Sequence, residues 1–444
     1  MKTHVTIIGG GPGGAASALY LKQLGIDSVI IEKETFPRYH IGESMTGECG
    51  ALVRGLGLEQ KMLDANFPIK RGLTVFGKTG HNPWFVPVMG RDKEWNLFDQ
   101  HTWQVRRSEF DKMLLDEAIS QGVEVIKAQA ITPLVDDDKS VCGVRIQHSD
   151  MDTRQEIKSD VLLDCSGQAT FLANNGVTGP KFRGNYDRQI AIYSQVKGAI
   201  RDDGPHRDNT LIFYKTKYLW SWFIPLDNET VSVGIVAPAA YFKDKNESKQ
   251  QFLLRELSEL NPELARRTVD IELVEDIHSI VNYSYQVSQF CGKGFICVGD
   301  AHRFIDPIFS FGLFATMREA QLTAPVVKSW LEGKGRDLKN PFAEHEQNCD
   351  RALDIVEDTI DTFWEYPLAF AMFTHKRYKA EVIDILAGRV FDKQPSVAIN
   401  AMRKLINRDR DNSQTSPLPQ GSRFHPERAN IWNDQIIEAN NSTG

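Results

Sequence analysis

The chain opens with Val5-Thr6-Ile7-Ile8, a short apolar run that stops at Gly9, and the next glycine-free stretch, Ala15–Leu24, has helix length and composition. Ser28–Ile31 is again short and apolar, so the first thirty or so residues predict strand, glycine turn, helix, strand. Phe110, Leu114, Leu115, Ala118 and Ile119 recur at spacings of three and four, the mark of a helix with one buried face, ahead of a strand at Val123-Glu124-Val125. Strand-like patches follow at Val141–Ile146 and Val161–Leu163. Residues Ile190–Val236 are rich in β-branched and aromatic side chains and predict a separate sheet. A short buried strand is expected within Gly294–Asp300, then a turn across His302–Gly312 and a helix from about Leu313. Beyond about residue 340 the pattern is helical, with aromatic residues at Phe363, Trp364, Tyr366, Phe370 and Phe373. That cluster lines a substrate pocket, covers a docking face or packs a helical region; packing is favoured. Asn412–Pro426 is polar and contains prolines, which predicts a loop or tail.

Composition narrows the class. At 444 residues, 41% hydrophobic and 25% charged, the chain has material for a large core. A net charge of −7 argues against broad nucleic-acid binding. Its six cysteines (Cys49, Cys142, Cys165, Cys291, Cys297 and Cys349) show no CxxC spacing, which supplies neither a zinc-ligand pattern nor a disulfide framework. No apolar run is long enough to span a bilayer, and the first one is too short for a secretory signal, so a cytoplasmic protein without a membrane partner is expected.

Gly9, Gly11 and Gly14, with Pro12 and Gly13 among them, form GxGxxG between a strand and a helix. Such glycines let the backbone turn tightly and approach a pyrophosphate at the helix N-terminus. Glu32, followed by Lys33, ends the next strand, where a carboxylate can accept from ribose hydroxyls. The motif alone is weak; in this strand–turn–helix–strand–acid setting it predicts a dinucleotide site. Three further segments select FAD over NAD: Arg38 with Gly42-Glu43-Ser44, Arg107 within Val105–Asp111, and Gly299-Asp300 after a buried strand. In their order they are similar to the flavin-contacting stretches of the aromatic hydroxylase superfamily. The expected fold is α/β: a Rossmann-type FAD-binding domain interleaved with a β-rich substrate domain, plus a C-terminal helical region. The expected boundaries are 1–180 continued at 285–335, then 181–284, then 336–444.

Trp220-Ser221-Trp222-Phe223-Ile224-Pro225 reads WxWxIP. Here the chain resembles the flavin-dependent halogenases, over most of residues 1–335. Strand alternation puts Trp220, Trp222 and Ile224 on one face. The resemblance implies that these residues, with Pro225, wall the flavin off from the organic substrate, so that a flavin hydroperoxide oxidises halide instead of the ring. It also implies a lysine, Lys70, that receives the resulting hypohalous acid, as an ammonium donor or as an amine. In Asp306-Pro307-Ile308-Phe309-Ser310-Phe311-Gly312, Pro307 and Gly312 would lie against the flavin, and backbone amides at Ser310, Phe311 and Gly312 would hold halide. Phe311 stands where the family carries a small residue, which leaves chloride, bromide and iodide all open.

The resemblance implies FADH2 drawn from a separate flavin reductase, since no nicotinamide fingerprint is visible, and a phenol, pyrrole or indole substrate. Whether that substrate is free or tethered to a carrier protein stays open, as does the oligomeric state, a homo-oligomer included. His81, His101 and His302 are unranked as the base that removes the ring proton. The rival readings are an aromatic monooxygenase of the same superfamily, an isoprenoid reductase, and a flavin-binding sensor or scaffold without turnover.

Overall fold

The computed structural model describes residues 1–148, 153–183, 188–281, 284–391 and 396–412. The polar segment expected as a tail lies, from residue 413 onward, outside the described residues.

Lys2–Ile8 runs parallel to Ser28–Glu32 on one side and to Arg154–Asp164 on the other. Its Val5 and Ile7 are fully buried because helices cover both faces, which is why these strands read as continuous apolar runs. Phe295–Cys297 extends the sheet beside Arg154–Asp164, nearly 300 residues along the chain from the first strand. The long strands Glu124–Val135 and Arg154–Asp164 also reach past the parallel core, where Val141–His148 bridges them antiparallel and completes a seven-stranded sheet with Cys291–Gly292.

The helix expected at Ala15–Leu24 begins earlier, at Pro12, and ends at Gln23. Proline is suited to the first helical position because its missing N–H costs nothing there. Similarly, the helix expected from about Leu313 spans Phe311–Leu331. These two helices pack against each other, and Arg107–Ser120 packs against the first.

The Ile190–Val236 region forms the centre of an eight-stranded sheet, with Gln189–Lys197, Val231–Pro238, Leu219–Pro225 and Thr210–Thr216 in that spatial order. Gly72–Phe76 then joins it, parallel to Thr210–Thr216, with Trp84–Pro87 at the edge. Leu219–Pro225 is buried on both sides. Trp220, Trp222 and Ile224 belong to the core shared with the seven-stranded sheet, whereas Leu219 and Phe223 belong to a second core with Ile192, Val233 and Phe252.

The C-terminal part comprises Ala343–Glu365, Pro367–Met372, a π-helical turn at Phe373–Arg377, then Lys379–Ala387 and Val397–Asn412. Phe363, Trp364 and Phe370 are buried and packed with Trp84, Tyr214, Tyr218 and Phe309, and the buried Phe373 packs on Tyr378. Among the described residues, no helix is long and apolar enough to cross a membrane and no His/Cys/Asp/Glu group is built to hold a metal.

Candidate active site

A cavity of about 760 Å³ lies where the two sheets meet, lined from both. Its floor is the glycine turn. Gly9 has φ 99°, and a Cβ there would fall 2.5 Å from the Cys165 carbonyl oxygen. The N-cap Gly11 offers no capping side chain, and the first turn of Pro12–Gln23 holds no acid. Amide donors at that helix start therefore face the cavity uncapped, which suits a phosphate. Gly13 leaves room for Thr316, 3.0 Å from where its Cβ would sit. Glu32 accepts from the amides of Gly10 and Glu34, both at 2.6 Å, and lines the cavity at the end of its strand; Lys33 lines it too but is exposed.

Arg107 is buried, with Nε and Nη2 on Asp111 (2.6 and 3.0 Å) and Nη1 donating to the Ile41 and Gly42 carbonyls (2.6 and 3.3 Å). Its guanidinium thus shapes the Gly42 turn, where φ is 98°. Arg38 pairs with Glu34 at 3.1 Å and approaches Asp111 at 3.4 Å. Asp300 lies in a turn just after the buried strand Phe295–Cys297; burial pushes its carboxyl up to about 7 against the pull of Arg107. Tyr39, Glu43 and Trp220 all line the cavity with a buried side-chain oxygen or nitrogen that has no partner among the described residues. A large cavity with an uncapped helix start, an acid at the ribose end, and unpaired polar atoms at the other fits a dinucleotide that carries a polar ring system.

Trp220, Trp222 and Ile224 face this cavity, and Pro225, closing the strand, does not line it. Trp222 donates Nε1–H to Ser232 Oγ at 3.0 Å and its ring sits 6.0 Å from that of Trp220. Lys70 stands one side chain behind the lining. Its Nζ donates to Ser44 Oγ and to the Met45 carbonyl, both at 2.9 Å, and Ser44, itself lining the cavity, pairs with Thr210 Oγ1 at 2.7 Å. Burial pulls the Lys70 ammonium down to about 7.

Across the cavity, Asp306 holds the turn by accepting from the Ile308 amide (3.0 Å) and Trp364 Nε1 (3.3 Å). Pro307, Ser310 and Gly312 line the cavity; the Phe311 side chain is buried in the core and is not part of the lining. Ser310, at φ 62°, donates its amide to the Pro307 carbonyl at 2.9 Å, so the donors left uncommitted in the first turn of the helix are those of Phe311, Gly312 and Leu313. Of the three residues whose amides were expected to hold halide, Ser310 therefore lines the cavity with its amide already bonded within the turn.

Two features were out of reach from sequence. Glu43 was noted only as part of Gly42-Glu43-Ser44, yet it is a fully enclosed carboxyl on the cavity wall, pushed up to about 7 by burial against the pull of Ser232, Arg107 and Gln195. The other is the polar network of Ser44, Thr210 and Gln104, assembled across 166 residues, which no local spacing signals. The histidines resolve plainly: none of His81, His101 and His302 lines the cavity. His302 is enclosed between Glu319 (2.8 Å) and Asp350 (3.2 Å), and Glu319 also accepts the Gly299 amide at 2.7 Å, bracing the Asp300 turn. Burial alone would lower this imidazole, but Glu319 and Asp350 outweigh it and raise it to about 9. Because that value exceeds the unfolded one, the pairing stabilises fully below about pH 6.5 and fades as pH rises through about 9. Glu319→Gln should thus cost about 3–5 kcal/mol near neutrality, and its melting-temperature deficit should shrink from pH 6.5 to 9. A deficit constant with pH would refute the charged brace.

The FAD binding domain family matches residues 2–339. A 1H-pyrrole-2-carbonyl-[peptidyl-carrier protein] brominase from Pseudoalteromonas luteoviolacea (strain 2ta16) is 36% identical over 405 residues, spanning 90% of this chain and 96% of that protein. A tryptophan 2-halogenase from Chondromyces crocatus is 30% identical over 341 residues, or 75% of this chain and 62% of that one. Among solved structures, the flavin-dependent brominase Bmp2 superposes with a TM-score of 0.86 at 35% identity, covering 93% of this chain and 100% of the other. A dinucleotide cradle opposite a paired-tryptophan strand, in a chain this similar to halogenases over nearly its whole length, has one reading: the protein belongs to the flavin-dependent halogenases and is an FAD-dependent enzyme that uses halide.

Proposed function

We propose that this enzyme takes FADH2 from a separate reductase, makes hypohalous acid from halide and O2, and halogenates an electron-rich aromatic ring through Lys70. The preferred substrate is a pyrrole-type acyl group carried on a carrier protein, the substrate named for the brominase from Pseudoalteromonas luteoviolacea and for a chlorinase from Pseudomonas fluorescens that is 26% identical over 429 residues. Residues 1–180 with 285–335 carry the cofactor-binding body, except that Gly72–Phe76 and Trp84–Pro87 join the sheet of the 181–284 substrate module, and the helices of Ala343–Asn412 make up the C-terminal part.

The observation that carries the reading is the placement of Lys70: a buried amine tied to Ser44, whose other neighbour is the cavity. When bound in its reduced form the cofactor would supply two electrons and two protons, which with one more proton convert O2 and halide into hypohalous acid and water. The chain does the rest. Gly9–Gly14 would hold the pyrophosphate, Glu32 and Lys33 the adenosine end, and Arg38, Gly42, Ser44, Arg107, Gly299, Asp300, Pro307 and Gly312 the remainder of the cofactor. The free amides of Phe311 and Gly312, with Ser310, hold the halide at a helix N-terminus. Trp220, Trp222 and Ile224, on the strand that Pro225 ends outside the lining, keep the organic substrate from the cofactor, so only a small diffusing oxidant crosses. Lys70 meets it and fixes its orientation toward the ring, by donating a hydrogen bond when protonated or through its lone pair when neutral.

The test is mass spectrometry after incubation with FAD, a flavin reductase, NADH, O2 and a panel of phenol, indole, pyrrole and carrier-bound pyrrolyl substrates, in parallel chloride, bromide and iodide. A halide-dependent product is expected. A gain of one oxygen regardless of halide would make the protein a monooxygenase.

A further inference from the structure

Pro367–Met372 and the π-helical turn Phe373–Arg377 have two unlike sides. Inward, Phe370 stacks on Phe309 (ring centroids 5.9 Å apart, interplanar angle 9°), and Phe309 directly precedes the cavity-lining Ser310. Phe370 and His375 also pack on Trp84, at 5.7 and 6.3 Å, in the strand paired with Gly72–Phe76, which begins two residues after Lys70. One short segment thus covers both the halide turn and the strand next to the lysine.

Outward, Leu368 is 87% exposed and Met372 46%. Four residues apart, they share a helix face, and Lys376 follows in the π-helical turn directly after it. His375, Lys376, Arg377 and Lys379 are all exposed. The nearby acids are engaged elsewhere: Glu365 with Lys217, Glu381 with the Ala398 amide at 2.8 Å, and Asp384 with Arg91 and Arg389. Lys376, Arg377 and Lys379 find no acidic partner among the described residues, in a chain whose net charge is −7. A solvated apolar pair edged by unneutralised cations is suited to a partner that is apolar at its contact face and anionic at its edge.

We propose that this face docks the substrate's carrier protein, with Leu368 and Met372 against the carrier and Lys376, Arg377 and Lys379 around the phosphodiester that roots its prosthetic arm. The proposal rests on the carrier-tethered reading above. A phosphodiester is the one fixed negative charge every such carrier presents at the arm's origin, and placing it here starts the arm beside the two halves of the site. The surface acts on encounter and residence of the carrier, not on chemistry at the ring.

The experiment uses pyrrole-2-carbonyl thioester in two forms, on a phosphopantetheinylated peptidyl carrier protein and on N-acetylcysteamine. The triple variant Lys376→Glu/Arg377→Glu/Lys379→Glu should raise the apparent KM for the carrier form about 10-fold or more, with kcat nearly unchanged, because charge reversal at a rim acts on association. The salt dependence of the wild-type KM should be largely lost, while turnover of the small thioester stays as it was. Leu368→Ser, at a position too exposed to affect folding, should raise the carrier KM without altering salt dependence. Equal loss on both thioesters, or an unchanged carrier KM, would overturn the docking face while leaving the tethered substrate standing. Wild-type enzyme that halogenates the small thioester but never the carrier form would instead overturn the tethered reading, and the docking face with it.

Discussion

Lys70→Ala should lower halogenation by about three orders of magnitude, the scale expected when a positioned proton donor or acceptor is removed, while FAD stays bound. The retention follows from geometry: Lys70 contacts Ser44 and the Met45 carbonyl and is not itself part of the cavity lining. Lys70→Arg should be nearly as inactive, because a guanidinium neither loses its proton nor fits a site made for a single nitrogen. Flavin fluorescence and product mass together check this; substantial turnover by Lys70→Ala would remove the lysine from the mechanism.

The same residue makes two pH predictions, one for the position of a break in rate and one for stability, of which the second has a definite sign. Burial brings its ammonium from an ordinary value of 10.5 down to about 7, so the rate should break near neutral pH. A limb falling above the break identifies the ammonium as the working form, a rising one the amine, and a flat profile would mean Lys70 does not titrate in turnover. Stability moves with it. A folded value below the unfolded one means the side chain stabilises least where the unfolded chain binds the extra proton, so its contribution worsens as pH falls from about 10 to 7. Lys70→Met should therefore gain melting temperature relative to wild type over that interval while losing activity, the trade expected of a group held in place for chemistry.

How much of this was legible depended on distance along the chain. The GxGxxG turn and its flanking strands are local, so their period and glycines read directly, and alternation within Leu219–Pro225 already placed Trp220, Trp222 and Ile224 on one side. Gly72–Phe76 was not legible as part of the second sheet, since its partner is Thr210–Thr216 and parallel pairing of remote strands leaves no local trace. Likewise, nothing near His302 announces that Glu319 and Asp350 will clamp it, and nothing near Ser310 shows that its amide is spent on Pro307. Phe311 is instructive: a bulky residue read as a change to the halide pocket turns its ring into the core, because the start of a helix sends successive side chains in different directions.

The second large effect sets against each other two glycines in the first turns of helices that border the cavity, Gly14 and Gly312. At Gly14 an added Cβ would fall 1.8 Å from the Gly9 carbonyl oxygen and 3.2 Å from Ile7 Cγ2. The first is backbone and cannot rotate away, so Gly14→Ala must push the helix Pro12–Gln23 off the first strand, at a cost of about 1–3 kcal/mol or more. FAD affinity should fall about 100-fold or more, since a pyrophosphate site depends on that helix start meeting the turn at fixed spacing. At Gly312 an added Cβ would meet nothing within 4 Å, and alanine is the better helix former by about 1 kcal/mol. Gly312→Ala should therefore fold at least as well as wild type, yet show a raised KM for halide, because the new methyl stands beside the uncommitted amides of the first turn. Calorimetry, flavin titration and halide kinetics on the pair separate scaffold from site. An unchanged halide KM in Gly312→Ala would mean that the anion is held elsewhere than at the start of this helix, whereas weakened FAD binding would report only the contact of Gly312 with the cofactor proposed above.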